Sequence, residues 1–164
     1  MHPLVLVSVF ICCFHVNVIS SQAVLTNVAY SKPVTLSTEY RDGIYPESNA
    51  VNGLLSDYTH TSQEKFPWLR IDLEGMFQIH LIEVFARADD FGYLLHDVDI
   101  TVGKNIYYMK FCGHFTGNAF KGQRIAMFCP HETVGRYVQL QIVNGDSNYL
   151  TPAEVLVWGV REIL

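Results

Sequence analysis

The residue types that perform catalysis in enzymes occur in this chain, but their spacing matches no catalytic arrangement. The 164 residues contain no Gly-x-Ser-x-Gly elbow, no His-Glu-x-x-His zinc motif and no Gly-rich phosphate-binding loop. Four histidines lie apart from one another without the spacing of metal ligands: His80, His96, His114 and His131. Asp89 and Asp90 are adjacent, so on a strand they would point to opposite faces and could not flank a glycosidic bond. The sequence therefore favours a binding protein over an enzyme.

The charge balance argues against nucleic acid and anionic lipid as partners. Lys and Arg number 11 and Asp and Glu number 16, which makes the formal net charge −5 at pH 7. Binding to nucleic acid needs a basic surface that neutralises phosphates, and docking on anionic membranes needs a similar basic cluster. A ligand that is recognised by hydrogen bonds and apolar contacts fits this composition better.

The first 21 residues differ in character from the rest of the chain. Residues 1–21 contain no Lys, Arg, Asp or Glu, and residues 4–14 are almost wholly apolar. That run is shorter than the roughly 20 apolar residues that span a bilayer, and it is typical of a secretory signal peptide. We therefore predict a signal peptide over residues 1–21 and a secreted, extracellular domain over residues 22–164, with no membrane insertion. A buried N-terminal strand is the alternative.

The cysteine count agrees with export. Cys12 and Cys13 would leave with the signal peptide, so that Cys112 and Cys129 remain. Two cysteines in an oxidising compartment are expected to pair, and the disulfide would contribute roughly 3 kcal/mol of stability. Two separate buried thiols are the alternative.

Short runs of β-branched and aromatic residues occupy the domain. The runs cover residues 68–73, 79–86, 98–102, 137–142 and 155–158, and several alternate apolar with polar residues as half-buried strands do. Turn residues separate them, at Asn52-Gly53, Glu74-Gly75, Gly103, Gly117-Asn118 and Asn144-Gly145-Asp146. No segment shows a helical period. The pattern predicts one all-β domain, a sandwich or a barrel.

Six stretches together resemble the framework of the F-type lectin (fucolectin) domain, and the likeness covers essentially all of residues 27–159. The stretches are residues 27–33, 48–53, 59–62, 67–73, 135–138 and 153–159. The resemblance implies an eight-stranded jelly-roll β-sandwich, related in fold to discoidin. It also implies that Cys112 and Cys129 form a disulfide. A second bridge of the family is missing, because Tyr58 and Ala153 stand where it has its cysteines.

The resemblance further implies a carbohydrate site. The family's sugar motif is a His, an Arg 27 positions later, an Asp two beyond and a second Arg or Lys five further on; His60, Arg87 and Asp89 match it. Leu94 stands in place of the second cation. Arg offers a rigid fork of donors to sugar hydroxyls, the His nitrogen adds a donor, and Phe91 could contact the sugar's methyl group. The alternative is that Arg87 and Asp89 form a surface ion pair and His60 is a framework residue.

The family also holds a structural calcium ion near the sugar loops. Asn49, Asn52 and Glu154 occupy matching positions, with the carbonyl of Leu54 and the side chain of Asp57 as further candidates. Calcium takes about six to eight oxygen ligands, and Asn52 replaces an Asp, which removes one negative charge and weakens such a site. The alternative is that Asn52-Gly53 is a simple turn and Glu154 a capped strand residue.

Two functional hypotheses follow. The first is a secreted lectin-like protein that recognises fucose or related glycans through loops at one end of the sandwich. The second is an extracellular adhesion or recognition module that has lost fucose binding and binds a protein or another ligand. The His60, Arg87 and Asp89 spacing favours the first, and Leu94 favours the second. The expected partners are glycans or glycoproteins, and a homo-oligomer would add avidity.

Overall fold

The computed structural model describes residues 24–162, and the predicted signal peptide lies outside the described residues. This part of the chain contains eight β-strands. They are β1 (Thr26–Asn27), β2 (Val34–Leu36), β3 (Trp68–Ala86), β4 (His96–Gly103), β5 (Met109–Asn118), β6 (Arg124–Phe128), β7 (Val134–Ile142) and β8 (Pro152–Arg161). All pairings between them are antiparallel. The fold is therefore all-β, as predicted.

The 19-residue strand β3 forms part of both sheets of the sandwich. Residues 68–72 pair with β2 and β7, and β7 continues to β4 and β5. Residues 77–86 pair mainly with β8 and β6, and β8 continues to β1. Buried residues of both sheets form one hydrophobic core. The arrangement is the predicted eight-stranded β-sandwich.

The bend in β3 differs from the sequence prediction of two strands separated by a turn. Glu74 has a left-handed φ of 59°, and its N–H donates to Asp72 Oδ1 at 2.8 Å. The register with β7 shifts between Asp72 and Phe77. A bulge of this kind bends a strand without ending it. The turn-like residues Glu74-Gly75 therefore redirect β3 from one sheet into the other.

The disulfide between Cys112 and Cys129 joins the two sheets at their edges. Cys112 lies in β5 and Cys129 directly follows β6, and β5 and β6 are not paired as neighbouring strands. The predicted disulfide is confirmed. It closes a side of the sandwich that main-chain hydrogen bonds leave open.

Helical structure in residues 24–162 is limited to 3-10 helices. They span Arg41–Gly43, Glu47–Val51 and Gly92–Leu94, in agreement with the absence of a helical period. Within the described residues, no helix is long and apolar enough to cross a membrane. The first and third of these helices contribute side chains to the same pocket.

Candidate functional site

Loops from several parts of the chain surround a pocket of about 430 Å³ at one end of the sandwich. Three of the four predicted carbohydrate-site residues line it, and Asp89 supports one of them from beside it. The lining residues are Tyr40, Arg41, Tyr45, Tyr58, His60, Arg87, Phe91, Tyr93, Leu94 and Tyr149. Folding therefore brings together residues that are far apart along the chain.

His60 is held by its neighbours, which pair with the segment that leads into β8. The N–H of Thr59 donates to the carbonyl of Pro152 at 3.1 Å, and the N–H of Thr61 donates to that of Leu150 at 3.2 Å. His60 itself is 8% exposed. The ring is thus fixed in place with one edge available to the pocket.

The tautomer of His60 follows from its hydrogen bond. Nδ1 lies 2.7 Å from the carbonyl oxygen of Thr61, and because a carbonyl only accepts, Nδ1 carries the hydrogen. Burial lowers the pKa of His60; the bond to Thr61 opposes this, and the nearby Arg87 charge lowers the pKa further. The ring is therefore neutral at pH 7, and its Nε2 accepts a hydrogen bond. The sugar motif predicts a donor at this histidine, whereas the nitrogen that remains for a ligand, Nε2, is an acceptor.

Arg87 directly follows β3 and is oriented by Asp89. Nε of Arg87 donates to Oδ1 of Asp89 at 2.7 Å, and Nη2 donates to Oδ2 at 2.5 Å. The Arg87 guanidinium holds the pKa of Asp89 below its usual value, and the backbone N–H of Phe91 lowers it further. Arg87 is only 6% exposed, whereas the Asp89 side chain is 46% exposed, so the pair joins a buried guanidinium to a carboxylate at the surface.

Aromatic rings flank the Arg87 guanidinium. Its central carbon lies 3.6 Å from the ring centroid of Tyr58 and 5.2 Å from that of Phe91. The fork to Asp89 uses Nε and Nη2, so Nη1 keeps two hydrogens for a ligand. Arg87 is therefore a positioned donor rather than a mobile charge.

Tyrosines that were not among the predicted site residues form much of the pocket wall. Tyr40 stacks on His60 with ring centroids 4.3 Å apart, Tyr149 meets His60 edge-on at 5.3 Å, and Tyr45 stacks on Tyr58 at 4.7 Å. Three of these tyrosines, Tyr40, Tyr45 and Tyr58, lie close together in the loop-rich stretch before His60. This clustering in the sequence could have identified them. Aromatic side chains in such loops are not buried by packing within a strand, so they can line a pocket.

Leu94 occupies the pocket wall as an apolar residue. It ends the helix Gly92–Leu94, and its N–H donates to the carbonyl of Phe91 at 3.1 Å. That helix packs tightly on a neighbouring loop, because a Cβ on Gly92 would lie 2.9 Å from the Cα of Lys121. The loop geometry therefore places residue 94 in the pocket wall, but a leucine at this position provides no cationic donor.

Three of the predicted metal ligands lie together in a second cluster. Nδ2 of Asn52 donates to Oδ2 of Asp57 at 3.0 Å, and the N–H of Gly53 donates to Oε2 of Glu154 at 3.0 Å. Oδ1 of Asn52 accepts from the N–H of Leu54 at 2.8 Å, which closes a turn with Gly53 at φ 83°. The turn and the capped Glu154 that the sequence offered as an alternative are thus both present.

Asn49 is used differently. Its Nδ2 donates to the carbonyl of Tyr58 at 3.0 Å, which ties the helix Glu47–Val51 to the segment that carries His60. Asn49 therefore holds the backbone at Tyr58, whose side chain lines the pocket.

The carboxylate cluster has the character of a cation site. Glu154 is 1% exposed; its Oε1 and the Oδ1 of Asp57 are buried without a hydrogen-bond partner. Burial raises the pKa of Glu154 to about 7; the amide of Gly53 opposes this and the Asp57 carboxylate adds to it. Buried carboxylate oxygens without hydrogen-bond partners fit a hard cation. Residues 24–162 hold no cluster of three or more His, Cys, Asp or Glu suited to a metal, so further ligands would be neutral oxygens such as the Asn52 amide.

The amino-acid sequence is similar to those of two eel fucolectins. Fucolectin-6 of Anguilla japonica is 28% identical over 138 residues, covering 79% of this chain and 74% of the relative. Fucolectin of Anguilla anguilla is 26% identical over 144 residues, covering 80% of this chain and 90% of the relative.

A solved structure gives the same picture of the fold. The serum F-lectin (fucolectin) of striped bass, Morone saxatilis, superposes with a TM-score of 0.76 at 27% identity. The match covers 84% of this chain but spans only half the length of the bass chain. The resemblance to F-type lectins is therefore shown in sequence and in structure.

The family model described as NedA-like, galactose-binding domain matches residues 49–140. That segment includes β3, β4, β5 and β6, the disulfide, and both His60 and Arg87. With its sandwich fold and its fucolectin relatives, the chain belongs to the NedA-like, galactose-binding domain family.

Proposed function

We propose that the protein is a secreted lectin that binds fucose or a related glycan in the 430 Å³ pocket. The observation that carries this proposal is the meeting of His60 and Arg87 in one pocket, with Arg87 held rigidly by Asp89. A neutral His nitrogen accepts one sugar hydroxyl hydrogen, and the guanidinium donates to others. The names of the fucolectin relatives support fucose, and the family description widens the class to other sugars.

The aromatic wall suits the apolar part of a sugar. Tyr58 and Phe91 present ring faces near Arg87, and Leu94 adds an aliphatic surface. Sugars combine hydroxyls with patches of C–H bonds, and a pocket of a few polar groups among apolar walls matches that combination. No reacting pair of groups is needed, so the proposal is binding without catalysis.

The substitution Arg87→Lys tests the polar part of the site. Lysine keeps the charge but loses the two-point fork, so affinity on a glycan array should fall about tenfold to a hundredfold. The matched control is Arg136→Lys, because Arg136 makes the same kind of fork with Asp72, at 2.6 and 2.7 Å, away from the pocket. Equal binding by both variants, or no binding of any glycan by the folded wild type, would refute the proposal.

Leu94 favours a second candidate, an adhesion module of the same fold that binds a protein. An apolar residue here removes a donor that the F-type motif supplies. The substitution Leu94→Arg separates the candidates: a lectin site should gain about tenfold in affinity for fucosylated glycans. A protein-binding module should gain none.

We propose further that Asp57, Glu154 and Asn52 hold a calcium ion. The ion would supply the positive charge that offsets two carboxylates and would fix the loop between Gly53 and Asp57. The orphaned oxygens of Asp57 and Glu154 support this. Calcium should raise the melting temperature of the wild type in chelator-washed buffer. An unchanged melting temperature at millimolar calcium would refute the site.

Secretion is proposed from residues 1–21, which lack Lys, Arg, Asp and Glu and include the apolar run 4–14. The disulfide Cys112–Cys129 is of the kind that oxidising compartments maintain. Expression in secretory cells should release protein whose N-terminus begins near residue 22. Retention of the full chain inside the cell would refute secretion.

A further inference from the structure

Arg41 lines the same pocket from a separate segment, the helix Arg41–Gly43. The backbone there is unusual: Arg41 has φ 47° and Asp42 has φ 54°. Two successive non-glycine residues in the left-handed region are unfavourable and persist only where the surroundings impose them. The N–H of Tyr40 donates to the carbonyl of His60 at 3.2 Å, and the N–H of Gly43 donates to that of Tyr40 at 3.3 Å. The bend that carries Arg41 is therefore tied directly to His60.

Arg41 is an exposed residue, and its guanidinium lies against an aromatic ring. Its central carbon is 5.1 Å from the ring centroid of Tyr40, the same ring that stacks on His60. Among residues 24–162, Arg41 forms no ion pair. Arg41 is thus aligned with the pocket and available to a ligand.

The pocket carries net positive charge in a chain whose formal net charge is −5. Arg87 is offset by Asp89, but Arg41 has no such partner. Two acids are close along the chain, Glu39 and Asp42, and neither lines the pocket. Glu39 is directed toward Gly43, where its Oε2 would lie 3.6 Å from a Cβ.

We propose that Arg41 gives the pocket a cationic group in addition to Arg87, and that the preferred glycan carries a sulfate or carboxylate group that Arg41 binds. This inference rests on the proposed lectin function. A guanidinium pairs with two oxygens of such a group at once, and charge-assisted bonds of this kind are stronger than bonds to neutral hydroxyls. Arg41 precedes His60 in the chain whereas position 94 follows Asp89, and both positions line the pocket.

The test uses paired glycans on an array, each sugar with and without a sulfate or sialic acid substituent. Wild type should bind the anionic member of a pair at least about tenfold more tightly. Arg41→Gln should lose that preference, with anionic binding reduced about tenfold to a hundredfold and neutral binding changed much less. Raising sodium chloride should weaken only the anionic preference of the wild type. Arg161→Gln is the matched control, since Arg161 is an exposed arginine beside Phe77, outside the pocket lining.

The outcomes separate this inference from the function on which it rests. If wild type binds neutral and anionic glycans equally, or if Arg41→Gln keeps the preference, the inference fails and the lectin function stands. If folded wild type retains no glycan, both fail. Melting temperatures of all variants confirm that the comparison is made on folded protein.

Discussion

Glu154 makes the stability of the fold depend on pH in a predictable direction. Its pKa rises from an ordinary value of 4.5 to about 7 in the folded state, chiefly because the carboxylate is buried. A group with a raised folded pKa stabilises the fold fully below its unfolded pKa, and this contribution is lost as pH rises through the folded pKa. In the absence of calcium, the Glu154 contribution should therefore be lost between about pH 4.5 and pH 7.

The magnitude follows from the two pKa values. The gap between 4.5 and about 7 corresponds to at most about 3 kcal/mol of unfolding free energy. Glu154→Gln should behave as a permanently protonated side chain that still accepts the Gly53 N–H. The variant should match the wild type near pH 4.5 and exceed its stability by up to about 3 kcal/mol near pH 8, in chelator.

Urea unfolding monitored by fluorescence of Trp68 and Trp158 measures this difference at several pH values. Subtracting the two proteins removes the contributions of His60 and the other titrating groups, which both share. Calcium should then reverse the order at pH 8, because only the wild type keeps the charged ligand. A difference that does not vary with pH would refute the buried-carboxylate reasoning. A pH-dependent difference that calcium leaves untouched would refute only the calcium site.

Three further predictions concern the disulfide, the histidine and a loop contact. Replacing both Cys112 and Cys129 by serine should lower the unfolding free energy by roughly 3 kcal/mol, which urea unfolding would measure. A loss under about 1 kcal/mol would contradict a stabilising role for the disulfide between the sheets. Because the folded pKa of His60 is lowered, its stabilising contribution is present above about pH 6.5 and lost as pH falls through the folded pKa. Glycan affinity should fall over the same range as Nε2 gains a proton, and calorimetry from pH 8 to pH 5 would show it; constant affinity would contradict an acceptor role. Gly92→Ala should cost about 1–3 kcal/mol in stability and weaken glycan binding, because its Cβ would press on the Lys121 backbone; denaturation together with array binding checks this, and unchanged values in both would contradict the contact.

Much of the fold was predictable because strand patterns are local. Runs such as residues 98–102 and 137–142 alternate buried and half-buried side chains, and they lie in β4 and β7 as predicted. The continuity of β3 was not predictable, because Glu74-Gly75 has the composition of a turn. Pairing with β7 on one side of the bend and β8 on the other keeps the strand intact.

The candidate site was predictable only in part. The spacing of His60, Arg87 and Asp89 pointed to a common site through the F-type motif, and the structure brings them together. Arg41 could not be recognised, since nothing in its neighbours Tyr40 and Asp42 marks a ligand-binding residue. Its position depends on a hydrogen bond between Tyr40 and His60, which are distant in sequence.

The sequence by itself predicted the strand class, the cysteine pair and the three polar residues His60, Arg87 and Asp89, because these follow from local alternation, residue type and the spacing of the F-type motif. Only the tertiary structure decided the protonation pattern of His60, the burial of Arg87 and the orphaned oxygens of Glu154 and Asp57. It also decided that a cation besides Arg87 lines the pocket. Leu94 lines the wall without a charge, and Arg41 lines it from another loop. The physical reason is that burial, hydrogen-bond partners and pocket walls arise from contacts between loops that the chain order does not place side by side.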